Sequence, residues 1–308
     1  MAGADQVTDA FGEALSRRRL LLAGGVLAIA GCGRRRAPAP SAQSGKGPAG
    51  AADALAWAIA GDWRTPADRA RDAWRHPRQS LAFWGAAPGA AVIEFWPGSG
   101  WYTDILGPYL TATRGVLYAA NLEADQPGEP AARAVVEAYR RKLAARPDLF
   151  GAVRPTAFGP HSGPVAPAGS ADLALFLRNL HNWMAAGLAE KAFRDAFAAL
   201  KHGGVLGIEE HRARPGGVQD VAASSGYVQE AYVKQMAREA GFVFTGSSEI
   251  NANPKDTRDH PFGVWTLPPT RRSAPADRPL NPLFDHRRYD AIGESDRMTL
   301  RFAKPRHA

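Results

Sequence analysis

Glu94-Phe95-Trp96-Pro97-Gly98-Ser99-Gly100 joins an acidic residue to a glycine turn. Glycines let the backbone approach a ligand closely, and a helix opening just beyond such a turn favours negative charge at its N-terminus. A carboxylate at that place suits a ribose hydroxyl or an amino group; a tight connection without a ligand is the competing reading. His181 stands between Asn179 and Asn182. An imidazole titrates in the range useful for proton transfer, so His181 is a candidate base or substrate ligand. The two amides could orient it or an acceptor, and the alternative is a structural histidine bonded to a neighbouring loop. His211 follows Glu209 and Glu210. His181, His211 and one glutamate could compose a metal set of N/O type, but no HxxxH or HExxH spacing supports it and no metal is expected. Asp256 and Arg258 close over the site as a lid, or pair as a solvated ion pair. Trp57, Trp63 and Trp74 read as packing residues before they read as a substrate lid.

The chain of 308 residues is 45% hydrophobic and 22% charged, inside the ordinary globular range. Its single cysteine, Cys32, excludes an intramolecular disulfide, a CxxC redox pair and a multi-cysteine zinc site. The net charge of +8 is not spread over the body. Arg34, Arg35, Arg36 and Lys46 carry half of the excess, residues 269–308 carry the rest, and residues 51–268 balance. Counterion release needs cations aligned on a folded surface, so no nucleic-acid partner is expected.

Elements that would position these groups alternate along the chain. Residues 65–84 have helical spacing, with Thr65 before Pro66 as a natural start. Ala91–Trp96 is an apolar run of the kind found in buried parallel strands, and the glycine turn leads into a helix over Trp101–Thr111. Further strands are read at Gly115–Ala119, Arg154–Phe158, Asp172–Leu177, Val205–Ile208, Phe242–Thr245 and Met298–Phe302. Helices are read at 130–145, 187–200 and 225–240, and a long irregular insertion at about 250–293. Strands and helices in alternation imply a mostly parallel sheet covered on both faces, one domain over residues 51–308.

Several separated motifs together resemble a family of predicted bacterial class I S-adenosylmethionine-dependent methyltransferases. They are Arg75-His76-Pro77 with Leu81-Ala82-Phe83, Val92-Ile93-Glu94 with Pro97-Gly98-Ser99-Gly100-Trp101-Tyr102-Thr103, and Arg178-Asn179-Leu180-His181-Asn182-Trp183. Leu200–Ile208 running into His211-Arg212-Ala213, then Asn253-Pro254-Lys255-Asp256 with Arg258, and Asp296-Arg297-Met298 complete the set, which covers roughly residues 70–303. The resemblance implies a three-layer Rossmann-like sandwich, its seven-stranded sheet mostly parallel with an antiparallel last strand. It implies S-adenosylmethionine as cofactor, with Glu94, Gly98, Ser99 and Gly100 as its loop and Asn121 or Glu123 on the ribose. His181, His211 and Asn179 then become the candidate catalytic residues. Trp96 stands where the family's loop has its first glycine, and no acidic residue marks the end of the third strand.

The N-terminus reads as an address. Ser16-Arg17-Arg18-Arg19 precedes the apolar run Leu20–Ala30, which is too short to span a membrane but suits a secretory signal. Its arginines resemble a twin-arginine export signal, and Ile29-Ala30-Gly31-Cys32 resembles a bacterial lipobox. Residues 1–31 are thus expected to be removed, Cys32 to be lipidated, and residues 32–50 to form a flexible tether. The expected place is the periplasmic face of the envelope, with the outer membrane favoured. Two functions remain open: a methyltransferase acting on a small molecule or envelope component, and a non-catalytic ligand-binding lipoprotein that keeps the fold.

Overall fold

The computed structural model describes residues 50–124 and 130–306. The expected export signal, lipobox with Cys32 and tether fall on residues 1–49, outside the described residues. Strands β1 (Ala91–Phe95), β2 (Val116–Leu122), β3 (Val153–Phe158), β4 (Ala171–Leu177), β5 (Leu200–His211), β6 (Val243–Ser248) and β8 (Arg297–Ala303) form one sheet. Their order is β3-β2-β1-β4-β5-β8-β6. Strands β1 to β5 pair in parallel, and β8 runs antiparallel between β5 and β6. A short strand, β7 (Pro261–Val264), lies in the insertion outside the sheet.

Period-two alternation along the buried strands builds the three layers. Val92, Leu117 and Leu173 face one core, packed on Ile105, Leu106 and Leu110 of helix Thr103–Thr113. Ile93, Phe95 and Phe176 face the other, against Trp183 and Phe193 from the helices Leu180–Ala186 and Ala189–Ala199. Because both faces are covered, these strands are continuous apolar runs, which is why they were visible in the sequence.

Two differences from the sequence reading matter for the site. The helix expected over residues 65–84 is three helices, Pro66–Ala70, Asp72–Arg75 and Pro77–Trp84. His76 breaks the run in the left-handed region at φ 40°, and Pro77 after it disfavours the right-handed α conformation that would continue the helix. That break carries Arg71 and Arg75 round to the carboxyl edge of the sheet. Beyond β4 the chain enters a helix that the sequence reading did not name, Leu180–Ala186, and this helix carries His181. No helix of the described residues is long and apolar enough to cross a membrane.

Candidate functional site

The chain runs outward from β1 through β2 to β3, then returns to place β4 on the other side of β1. Open α/β sheets hold their ligands at the strand ends beside such a reversal, and a cleft opens there. Its floor is Glu94, Trp96, Leu177, Arg178, Asn179 and His211, from the ends of β1, β4 and β5. Arg71 and Arg75 form one wall with Trp101 and Tyr102, and the insertion supplies Val264, Trp265, Pro268–Thr270, Glu294 and Ser295 as the other.

Glu94 is buried at 2% exposure, and Thr103 Oγ1 donates to its Oε2 at 2.6 Å. Burial pushes its pKa up to about 7, against the opposing pull of the Thr103 hydrogen bond and of Lys142. Beyond it the turn is spent on internal contacts. The Lys142 ammonium donates to Ser99 O at 2.8 Å and pairs with Asp104, whose own pKa burial raises to about 6. Gly98 and Gly100 have φ of 61° and 89°. A Cβ on Gly100 would sit 3.1 Å from both Thr103 and Tyr139, so glycine is required there by the fold itself.

Trp96 does what the expected first glycine would do in its backbone, at φ 46°. Its indole is buried, donates from Nε1 to Phe158 O at 2.8 Å, and packs edge-on against Trp183. Asn179 Nδ2 donates to Trp96 O at 3.0 Å, so this amide fixes the start of the turn. Asn121 and Glu123 do not reach the cleft. Asn121 Oδ1 accepts from the Leu122 amide at 2.8 Å, and the residue lines a second cavity with Val136, Tyr139 and Thr156. Glu123 Oε2 accepts from the His161 amide at 2.9 Å, at the end of β3. The cleft thus holds a buried carboxylate beside a glycine turn at the β1 end, while neither Asn121 nor Glu123 lines it.

The two histidines lie together, ring centroids 5.2 Å apart, but are held differently. Glu210 accepts from the backbone amides of Leu180 (2.7 Å), His181 (3.3 Å) and His211 (2.8 Å), which caps helix Leu180–Ala186. Its remaining contact is His181 Nδ1 at 2.9 Å, so a carboxylate that only accepts fixes His181 with its proton on Nδ1. His181 is 1% exposed and stands behind His211, which reaches the cleft with Nδ1 2.6 Å from Ser295 Oγ. Burial holds the His211 pKa well below the ordinary value, and His181 and nearby arginines add to the effect. His181, Glu210 and His211 each offer a ligand atom within 4.8 Å of the others, yet the oxygens of Glu210 are occupied by amides and by His181.

Of the charged groups behind the cleft, the sequence reading gave Glu209 a role only as a possible metal ligand, and gave none to Arg71, Arg178, Arg297 or Glu294. Glu209 is fully buried and meets Arg178 Nη1 at 3.3 Å and Arg297 Nη1 at 3.0 Å, while Tyr102 donates to its other oxygen at 3.3 Å. Glu294 meets Arg71 at 2.6 Å, Arg297 at 3.1 Å and Arg75 at 3.5 Å. Burial alone would raise both carboxylates; the guanidiniums outweigh it, lowering Glu209 and holding Glu294 at about 2. The Arg178 signal was its position directly after β4; Glu294 had no local signal at all.

Asp256 and Arg258 neither close the cleft nor form a solvated pair. Asp256 is 2% exposed and accepts from Tyr227 Oη, the Asp296 amide and the Arg258 amide, with His260 Nε2 at 2.8 Å. Arg258 pairs with Asp296 at 2.5 Å. They form a buried strut that ties the insertion to the start of β8. Trp57 and Trp63 pack on each other at 4.8 Å, and Trp74 on Gly293, away from the cleft.

The sequence matches no family model and no curated protein. Among solved structures, the fold resembles a protein provisionally named as a sarcosine dimethylglycine methyltransferase from Galdieria sulphuraria. The two share 13% identity over 80% of this chain and 89% of that one, with a TM-score of 0.50. A SAM-dependent methyltransferase from Aquifex aeolicus shares 18% identity over 59% of this chain and 87% of its own, with a TM-score of 0.45. The 1,6-didemethyltoxoflavin-N1-methyltransferase of Burkholderia thailandensis shares 15% over 77% and 82%, with a TM-score of 0.43. Likeness at this level establishes the fold, a Rossmann-like class I methyltransferase sandwich, and nothing finer.

Proposed function

We propose that the protein is an S-adenosylmethionine-dependent methyltransferase acting on a small molecule or an envelope component. The observation that carries the reading is Glu94: a buried carboxylate, largely uncompensated, at the carboxyl end of β1 beside the glycine turn and open to the cleft. A cationic or hydroxylic group of a ligand would restore its charge and hydrogen bonding. S-adenosylmethionine, when bound, supplies an electrophilic methyl group. The chain's own contribution is position: Asn179 holds the turn through Trp96 O, Glu210 holds His181, and His211 presents a neutral imidazole to the cleft.

Calorimetry on the full chain tests the reading. Binding of S-adenosylmethionine tighter than about 1 mM is expected, with loss in Gly98→Asp; weaker binding that the substitution leaves unchanged sinks it. A second reading, a ligand-binding protein that keeps the fold, is favoured by Asn121 and Glu123 being turned to other partners. For either reading we propose export and anchoring through a lipidated Cys32 at the periplasmic face of the envelope, the outer membrane favoured. Its support is the order of arginines, apolar run and Ile29-Ala30-Gly31-Cys32. Cys32→Ser should move the protein from the membrane fraction to the soluble one.

A further inference from the structure

We infer that the cavity beneath helix Pro130–Ala145 is a second binding site, for a ring-sized, mostly apolar molecule whose carbonyl or carboxylate oxygen accepts from Asn121 Nδ2. The cavity has a volume of about 200 Å³ and shares no lining residue with the cleft at the carboxyl edge of the sheet. Side chains alternate along a strand, so Asn121 of β2 and its register partner Ala157 of β3 point to one face, with Ala119 and its partner Pro155. The helix covers that face: Ala119 shares a core with Tyr139 and Leu143. Val136, Tyr139 and Arg140, at i, i+3 and i+4 along the helix, line the cavity from the opposite side.

The orientation of the Asn121 amide is fixed by chemistry. The Leu122 backbone amide can only donate, so the Asn121 oxygen takes that bond at 2.8 Å and the NH2 end is left over. This NH2 has no partner among the described residues, although Asn121 is 2% exposed. A buried donor without an acceptor is costly, and native folds keep few of them. A water is a poor remedy here. A buried water makes about three hydrogen bonds, and the hydroxyls on the wall are engaged. Thr156 donates to Val165 O at 2.9 Å, and Tyr139 Oη meets Thr103 Oγ1 at 3.0 Å.

The rest of the wall selects the body of the ligand. Val136, Pro155, Ala157 and the Tyr139 ring present apolar side chains. An apolar cavity of about 150 Å³ accommodates benzene, so this one has room for a benzene ring with a small substituent. Arg140, exposed at the rim, adds a positive charge that admits a carboxylate as well as a neutral carbonyl. The site would hold such a ligand whether or not the chain transfers methyl groups.

The test uses the full chain with benzamide and benzoate, and with toluene as a probe of like size that has no acceptor. Thermal stabilisation and millimolar calorimetric binding are expected for at least one of the first two, with toluene about tenfold weaker. The tighter of the two tells a neutral oxygen from a charged one. Asn121→Leu should weaken benzamide and benzoate about tenfold and bring toluene level with them. Val136→Phe, which fills the cavity and keeps Asn121, should remove binding of all three. Saturating S-adenosylhomocysteine should leave the binding in place. No binding of either acceptor probe, toluene binding as tightly as they do, or binding unchanged in Val136→Phe would overturn the inference. Displacement by S-adenosylhomocysteine would do so too, because it would give the cavity to the cofactor. Failure of S-adenosylhomocysteine to bind at all is a different result: it counts against the methyltransferase reading and leaves benzamide against toluene to decide here. Should Asn121→Leu fail to fold, that comparison on the unaltered chain still decides.

Discussion

Glu94→Gln should make the protein more stable in mild alkali, not less. The ordinary carboxyl pKa of 4.5 is raised in the fold to about 7, chiefly by burial. The folded state therefore binds more protons than the unfolded state between these values, and stability falls as pH rises through that window. At 1.36 kcal/mol per pKa unit the loss is on the order of 3 kcal/mol, complete once the pH exceeds about 7. Below the unfolded pKa the group contributes no penalty. Glutamine has the same shape, can keep the Thr103 hydrogen bond seen at 2.6 Å, and never ionises.

Urea denaturation of both proteins from pH 4 to pH 8.5 reads the effect as a difference between two curves. That difference cancels other titrating groups, including Asp104, which rises in the same direction. The curves should meet near pH 4 and separate by about 3 kcal/mol at pH 8 in favour of the glutamine form. A constant offset at every pH, or a wild type that gains on the variant above pH 7, would refute the account of Glu94 as a desolvated and undercompensated acid. The same account makes a statement about ligands. A cationic ligand that contacts Glu94 at pH 6 must release close to one proton, measurable by calorimetry in buffers of different ionisation enthalpy.

Glu294→Gln removes the carboxylate shared by Arg71, Arg75 and Arg297, and should cost about 3–5 kcal/mol at pH 7 in denaturant unfolding. Because the folded pKa of Glu294 is about 2, this contribution is present above the unfolded pKa and fades as pH falls from 4.5 towards 2. Gly263→Ala would set a Cβ 2.2 Å from Ser225 O at a φ of 58°, at a cost of about 1–3 kcal/mol. Hydrogen exchange should then quicken over residues 261–270, the cleft wall, while β1 and β4 stay protected. His211→Ala should lower turnover with an identified acceptor about a hundredfold and leave S-adenosylmethionine affinity nearly intact; unchanged turnover removes His211 from the chemistry.

Strand positions were legible because both faces of a covered sheet demand apolar residues, as Val92-Ile93 and Leu173–Phe176 show. The parts of the cleft were less so, for a physical reason. Glu94 and the glycine turn are contiguous and announce themselves, but Arg71 and Glu294 meet only after some two hundred residues of chain have folded between them. No periodicity records such a meeting. His211 ends β5 and so lies at the rim, while the burial of His181 follows from a helix, Leu180–Ala186, too short to leave a clear pattern. Asp256 was misread because an acid and a base two residues apart on an irregular segment look solvated. The antiparallel β8 is what draws the segment inward, through the Asp296 amide.

The arginines and His211 belong to one electrostatic argument. The imidazole is a poor proton acceptor in the protein as it stands, because burial and the guanidiniums of Arg75, Arg178 and Arg297 all disfavour its charged form. An anionic ligand group beside Arg75 and Arg178 in the cleft would cancel part of their field at the ring and raise its basicity. A neutral molecule entering the same cleft would leave that field, and the low basicity of the ring, unchanged. Proton acceptance by His211 would then depend on the charge of what the cleft holds, so that Arg75 and Arg178 bear on ligand selection and on the base together.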